Sequence, residues 1–261
     1  MNRLMKVAVI TLSRQGADVA ARLCEDFPEA ELFLHDSVPT FGNAVSFKSI
    51  MLLSINIFSG YEGLIYIAPC GVAVRAIAPM IKHKTLDPAV VVVDVGGRHA
   101  VSLLSGHEGG ANALALRVAN SLGAEPVIST TTEAVKTLIV GVGCRRGVLG
   151  ETVTSAIIEG LRRVNSNPSE VRFLASADIK KNEKGLMEAA ASLGLSLRFI
   201  SSDEIVSTVK KFKHSEFVAS KVRLPAVAEP CALLAGRRTR LILPKNIIYG
   251  ITVAIARENC L

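Results

Sequence analysis

Residues Ser105 to Asn112 read Ser-Gly-His-Glu-Gly-Gly-Ala-Asn, a run that joins glycines to a hydroxyl, an imidazole, a carboxylate and an amide. Glycine admits positive φ and lets backbone approach a ligand closely. Successive N–H groups in such a turn form a nest for an anion or a developing oxyanion. An imidazole titrates near ~6.5, which suits His107 to general acid–base work. Glu108 and Asp94 are the alternative bases. Ser105, Gly106, Gly109, Gly110 and Asn112 are expected to line the ligand. The plainer alternative is a helix-capping turn with a surface histidine.

Further segments join a strand end to glycine and then to a helix. Ile67 to Pro79 (IAPCGVAVRAIAP) places Arg75 within reach of an anion, or on a plain surface. Cys70 in the same segment reads as a small packed residue. Val140 to Glu151 (VGVGCRRGVLGE) sets Cys144 beside Arg145 and Arg146, whose guanidinium forks suit carboxylates. It is not a Walker A loop, which needs Gly-x4-Gly-Lys-Ser/Thr, nor the dinucleotide GxGxxG pattern. Glu229 sits among apolar residues and Lys245 follows Pro244 at a strand end. Each of these two has a structural and a ligand-binding reading. His99 reads as structural.

These residues need elements to hold them. Apolar β-branched runs at Lys6–Ser13, Glu31–Asp36, Gly63–Pro69, Ala89–Val95 and Pro126–Thr130 predict strands. Helical patterns fall at Gln15–Phe27, Ser46–Phe58, Gly71–Ile81 and Gly109–Leu122. Gly96 and Gly97 predict a hairpin turn, with His99–Leu104 as the return strand. Thr131–Lys136 reads as a linker. The pattern then restarts: strands at Thr137–Gly143, Arg172–Ala177 and Ser196–Ser201, helices at Glu151–Val164 and Glu183–Leu193, and a helix capped by Asp203. Val227–Gly236 is helical or turn-like, and RLILP and GITVAIAR supply two last strands. The expectation is an α/β protein of two small α/β domains, residues 1–133 and 134–261, each a mostly parallel sheet with flanking helices.

Composition narrows the partners. The 261 residues are 49% hydrophobic and 20% charged, a globular balance. No apolar run reaches the ~18 residues of a membrane span, and the N-terminus has no signal-peptide pattern, so no membrane is expected and the cytoplasm is. Five scattered cysteines (Cys24, Cys70, Cys144, Cys231, Cys260) form no CxxC pair and read as reduced thiols with no bound metal. The net charge of +7 is uneven: residues 1–135 hold 10 Lys and Arg against 12 Asp and Glu, and residues 136–261 hold 20 against 11. A basic second half suits an anionic partner. Lys180, Lys181, Lys184, Lys210, Lys211 and Lys213 read as surface charge. With no tryptophan and three tyrosines, nucleic acid is not expected.

In order, IAPCGVAVRAIAP, DPAVVVVDVGG, SLLSGHEGGANALA, GVGCRRG, AEPCALLAG and LILPKNIIYGITVAIAR resemble the cobalt-precorrin-5A hydrolases of anaerobic cobalamin biosynthesis. The resemblance spans both halves. The family usually carries a middle segment, whereas here PVISTTTEA runs almost directly into TLIVGVGCRRG, as in a short member. It implies opening of the δ-lactone of cobalt-precorrin-5A and release of acetaldehyde, leaving cobalt-precorrin-5B. The partner is then a small-molecule corrinoid that carries its own cobalt, and no further cofactor is expected. His107, or else Glu108 or Asp94, would be the general base. Arg75, Arg145, Arg146 and Lys245 would grip peripheral carboxylates. A homodimer and transient contact with neighbouring pathway enzymes stay open. A non-catalytic corrinoid carrier is the alternative, and a nucleotide- or phosphate-binding enzyme a more distant one.

Overall fold

Strand-forming runs and amphipathic stretches alternate along the chain, and the computed structural model turns them into two sheets with helices on their faces. The structure describes residues 5–212 and 224–259. Lys213 and Cys260 lie outside the described residues. The chain divides into two units, Met1–Thr130 and Thr131–Leu261.

The first unit runs β1 (Val7–Thr11), α1 (Arg14–Asp26), β2 (Glu31–His35), β3 (Val45–Phe47), α2 (Ile50–Ile57), β4 (Gly63–Ile67), α3 (Cys70–Ile77), β5 (Ala89–Val93), β6 (His99–Leu104), α4 (Ala111–Leu122) and β7 (Glu125–Val127). Its sheet has the order β3-β2-β1-β4-β5-β6-β7. Neighbours are parallel except β5 and β6, which the Gly96–Gly97 turn makes antiparallel. β1, β4 and β5 are buried along their whole length, as strands covered on both faces must be. Alternate side chains serve opposite faces. Val7, Val9, Ile65 and Val91 meet Ala20 and Leu23 of α1 and Leu114 of α4. Ala8, Ile10, Leu64 and Tyr66 meet Leu53 and Ile57 of α2 and Ala73 and Ile77 of α3.

The second unit runs α5 (Thr131–Ala134), β8 (Leu138–Gly143), α6 (Gly150–Arg162), β9 (Val171–Ala177), α7 (Lys184–Leu193), β10 (Leu197–Ile200), α8 (Ser202–Ser207), α9 (Ala228–Leu234), β11 (Thr239–Ile248) and β12 (Ile251–Glu258). The order β10-β9-β8-β12-β11 is mixed. β10, β9 and β8 are parallel, and the β11–β12 hairpin adds two antiparallel pairs. The sheet therefore changes direction between β8 and β12.

Three expected elements differ. Ser46–Phe58 is not one helix: Val45–Phe47 pairs with β2, and Ser49, whose Oγ accepts the Leu52 N–H, starts α2. The Thr131–Lys136 stretch holds a helical turn, α5, with Lys136 paired to Glu133. The cap of α8 is Ser201, accepting the Glu204 N–H, so Asp203 is instead inside its first turn.

Candidate functional site

The Ser105–Asn112 turn links the end of β6 to α4. Its tightness demands its glycines. A Cβ on Gly109 would lie 2.3 Å from Ser105 Cβ, and Gly110, the N-cap, has φ +86°. Ala111 N–H donates to the Ser105 carbonyl and Asn112 N–H to that of Gly106, closing the turn on itself. Asn112 bridges two elements: its Oδ1 accepts from Ser102 Oγ at 2.8 Å and its Nδ2 donates to Thr130 Oγ1 at 2.9 Å. Its amide thus positions the turn. Ser105 has φ +59° and is 5% exposed, and its buried Oγ has no hydrogen-bond partner among the described residues. His107 and Glu108 are exposed. Lys84 Nζ donates to Glu108 and holds its carboxyl below its ordinary value.

The strands separate residues that the sequence grouped. Asp94 follows the carboxyl end of β5, and the turn at Ser105 follows β6, which runs back to the opposite rim. Five residues of β5 put roughly 16 Å between the two rims. Asp94 therefore cannot share a reacting centre with His107 on this geometry. It organises the hairpin, accepting the N–H groups of Gly96, Arg98 and His99 at 2.9, 3.0 and 2.8 Å. Partial burial pushes its carboxyl up, but those N–H bonds outweigh it and leave it below the ordinary value. The His99 ring lies 3.3 Å from the same carboxylate. Arg75, on the exposed face of α3, turns back to donate to the Gly71 carbonyl at 3.0 Å. Cys70 is exposed rather than packed.

The second unit brings its singled-out residues together. A cavity of about 1060 Å³ is lined by Cys144, Arg145, Arg146, Glu229 and Lys245. It opens where Gly143, the last residue of β8, pairs with Thr252 at the start of β12. That is the point at which strand order reverses, where open α/β sheets bind ligands. Its size is at the top of the usual range for small-molecule sites. Val148, Ile179, Val227, Ile247 and Ile251 give it apolar walls. Arg145 and Arg146 are exposed and make no ion pair among the described residues.

Glu229, 2% exposed in α9, accepts the Lys245 N–H at 2.7 Å. That N–H is released from the ladder by a bulge: Leu243 pairs with Ile255 and Asn246 with Val253, leaving one residue extra in β11. Pro244, which has no N–H, fits such a place on an edge strand. Glu229 thus fixes the strand that carries Lys245. Glu183 holds the other wall, accepting the Gly147 N–H at 2.8 Å. Burial pushes the Cys144 thiol up, Lys180 pulls it down, and Glu183 pushes it up again.

Sequence reasoning missed Lys180 and Glu183. Lys180 was expected among surface charges, yet its side chain is 15% exposed, lies 3.7 Å from Glu183 and lines the cavity. Its position after the end of β9, beside a polar cluster, gave no periodic signal. Lys210 also departs from that expectation: its Nζ donates to Leu233 O and Thr239 Oγ1 and is lowered by burial. Among the described residues no group of three or more His, Cys, Asp or Glu is placed to hold a metal, and no helix is long and apolar enough to cross a membrane.

Two family models match the chain in order: cobalamin synthesis G N-terminal over residues 53–133 and cobalamin synthesis G C-terminus over residues 138–256. A cobalt-precorrin-5A hydrolase of Priestia megaterium is 24% identical over 352 positions, covering 95% of this chain and 94% of that protein. Those positions outnumber the 261 residues here, so the relative has segments without a counterpart in this chain. A cobalt-precorrin-5A hydrolase of Salmonella typhimurium is 55% identical over 76 residues, 29% of this chain and 22% of that protein. Among solved structures, cobalamin biosynthesis protein chiG of Agrobacterium tumefaciens is 28% identical, covering 47% of this chain and 98% of its own, with a TM-score of 0.37. Matched through both halves and in the family's own order, the chain belongs to the cobalamin synthesis G family.

Proposed function

We propose that this protein hydrolyses the δ-lactone of cobalt-precorrin-5A, with release of acetaldehyde to give cobalt-precorrin-5B. The observation that carries the reading is the cavity of the second unit, whose apolar walls are edged by Arg145, Arg146, Lys180 and Lys245. A corrinoid ring is broad, apolar on its faces and fringed with carboxylates, and it matches that distribution of surface. The names of the relatives support the same substrate. The cobalt enters as part of the substrate, and the protein's own groups do the binding and the proton transfer.

The chemistry falls to the Ser105–Asn112 turn. Water attacks the lactone carbonyl, His107 takes its proton and returns it to the leaving oxygen as the lactone C–O bond breaks, which leaves a carboxylate and a carbon 20 alcohol. That alcohol then loses its proton and becomes the carbonyl of acetaldehyde as the bond joining carbon 20 to the macrocycle breaks, its electron pair passing to the ring and being protonated there. N–H groups at Gly109 and Gly110 stabilise the oxyanion, an effect of about 3–4 kcal/mol per donor. Of the three base candidates, His107 is the one left without another role among the described residues, since Lys84 pairs with Glu108 and Asp94 closes a hairpin on the other rim. Incubation of the purified protein with cobalt-precorrin-5A, followed by product mass and acetaldehyde assay, tests the reading. Acetaldehyde with the mass of cobalt-precorrin-5B is expected. His107→Ala is expected to lower turnover by about 100-fold or more. Near-normal turnover would move the base elsewhere.

A carrier of the same corrinoid is the second reading. It is favoured by the cavity's being complete within one unit while its buried acid, Glu229, is bound to the Lys245 N–H. Tight binding without acetaldehyde would select it.

A further inference from the structure

The β11–β12 hairpin departs from what its own geometry favours at two neighbouring positions. β11 is an edge strand, where exposed positions are ordinarily polar or charged. Ile247 is nevertheless 68% exposed. Ile248 pairs with Ile251, so Tyr249 and Gly250 make a two-residue turn, with φ +52° and +79°. Positive φ at both places is the pattern of a type I′ turn, which favours Asn, Asp or Gly at the first position. Here that position holds a tyrosine, 65% exposed. A bulky side chain in the left-handed region is strained, and strain of this kind gathers at functional sites.

Both residues line the cavity of the second unit. Ile247 stands opposite Thr252, which lines it too, and two residues from Lys245 on the same face of β11. The alternate residues Ile248 and Val253 serve the other face, where Gly160 of α6 packs. The Tyr249 phenol makes no hydrogen bond among the described residues; it adds to the effect of Glu159, which holds the Arg162 guanidinium above its ordinary value.

We infer that Ile247 and Tyr249 form a shelf on which one flat face of a carboxylate-fringed macrocycle lies. The inference rests on the corrinoid reading of the cavity and adds to it the groups that recognise the ring's plane. An aromatic ring and a branched aliphatic side by side offer a broad apolar surface to a conjugated ligand, and the nearby cations meet its edge. A free chain gains nothing from keeping both side chains in water, whereas covering them on binding removes apolar area from solvent. The tyrosine then trades an unstrained turn for ligand contact, the kind of local inconsistency expected where function competes with fold.

The test uses the full chain and cobyrinic acid, a stable cobalt corrinoid with free peripheral carboxylates, with affinity by calorimetry and Tm measured in parallel. Tyr249→Asn is expected to weaken binding by about tenfold, as loss of a stacking face does, with Tm unchanged or higher because Asn-Gly suits the turn. Tyr249→Phe is expected to bind within about twofold of wild type, since the face and not the hydroxyl is used. Ile247→Thr is expected to weaken binding with Tm retained. The shelf is overturned if Tyr249→Asn binds like wild type, if Tyr249→Phe loses as much as Tyr249→Asn, or if Tyr249→Asn lowers Tm, which would mark a packing residue. In those cases wild-type binding still stands and with it the corrinoid reading. Absence of binding by the wild-type chain overturns both.

Discussion

Ser105 carries two costs in one residue: a left-handed backbone at φ +59° and a buried hydroxyl with no partner among the described residues. The first is worth about 1–2 kcal/mol and the second about 1–3 kcal/mol. Glycine at this place relieves both, offset by its greater freedom in the unfolded chain of about 0.4–1 kcal/mol. Ser105→Gly is therefore expected to raise stability by about 1–4 kcal/mol in a denaturant melt. Asp94 makes the opposite kind of prediction. Its carboxyl lies below the ordinary value when folded, so its contribution is present above the unfolded pKa near ~4 and fades as pH falls through the folded value. Asp94→Asn should be less stable than wild type in urea at neutral pH, with the gap closing in acid. Turnover per folded molecule should be kept. At this scale the sequence showed which residues were unusual but not their use. Asp94 was visible as an acid ending an apolar strand, while its three N–H partners emerge only when the hairpin closes.

The bulge in β11 is an element held by a neighbour. Glu229 is almost wholly buried, and its carboxylate takes a backbone N–H that the ladder cannot. A hydrogen bond to a charged group contributes about 1.5–3 kcal/mol, so Glu229→Ala is expected to lose about that much in chemical denaturation. Glu229→Gln keeps an acceptor and should recover a good part of it. The strands of the first unit were legible because full burial writes continuous apolar runs, as in Ala89–Val93. The hairpin was legible from Gly96 and Gly97. β3 was not: three residues, Val45–Phe47, are held by pairing with β2, and the adjacent apolar helix absorbs them in any periodic reading. The start of α8 was ambiguous for a related reason. Ser201 and Asp203 both offer capping oxygens, and only the extended backbone of Ser201 decides.

Charge is a property of the whole molecule, and its imbalance points to the cavity. The basic second half supplies Arg145, Arg146, Lys180 and Lys245 to one cavity; the sequence pointed to the two arginines and Lys245 through their motifs, and left Lys180 among the surface charges. Exposed charges are screened over about 10 Å at 0.1 M salt. Corrinoid affinity should accordingly fall as salt is raised, and replacing Arg145 and Arg146 together by alanine should flatten that dependence in a titration series. The reversal of β6 has a different consequence, one for engineering. Because this strand runs against β5, the loops that precede and follow it open on opposite rims of one sheet. Residues 94–98 and residues 105–110 share no hydrogen-bond partner among the described residues. Sites more than ~7–10 Å apart combine within ~0.3–0.5 kcal/mol, so a combinatorial library over both loops factorises into two small ones, each screened alone.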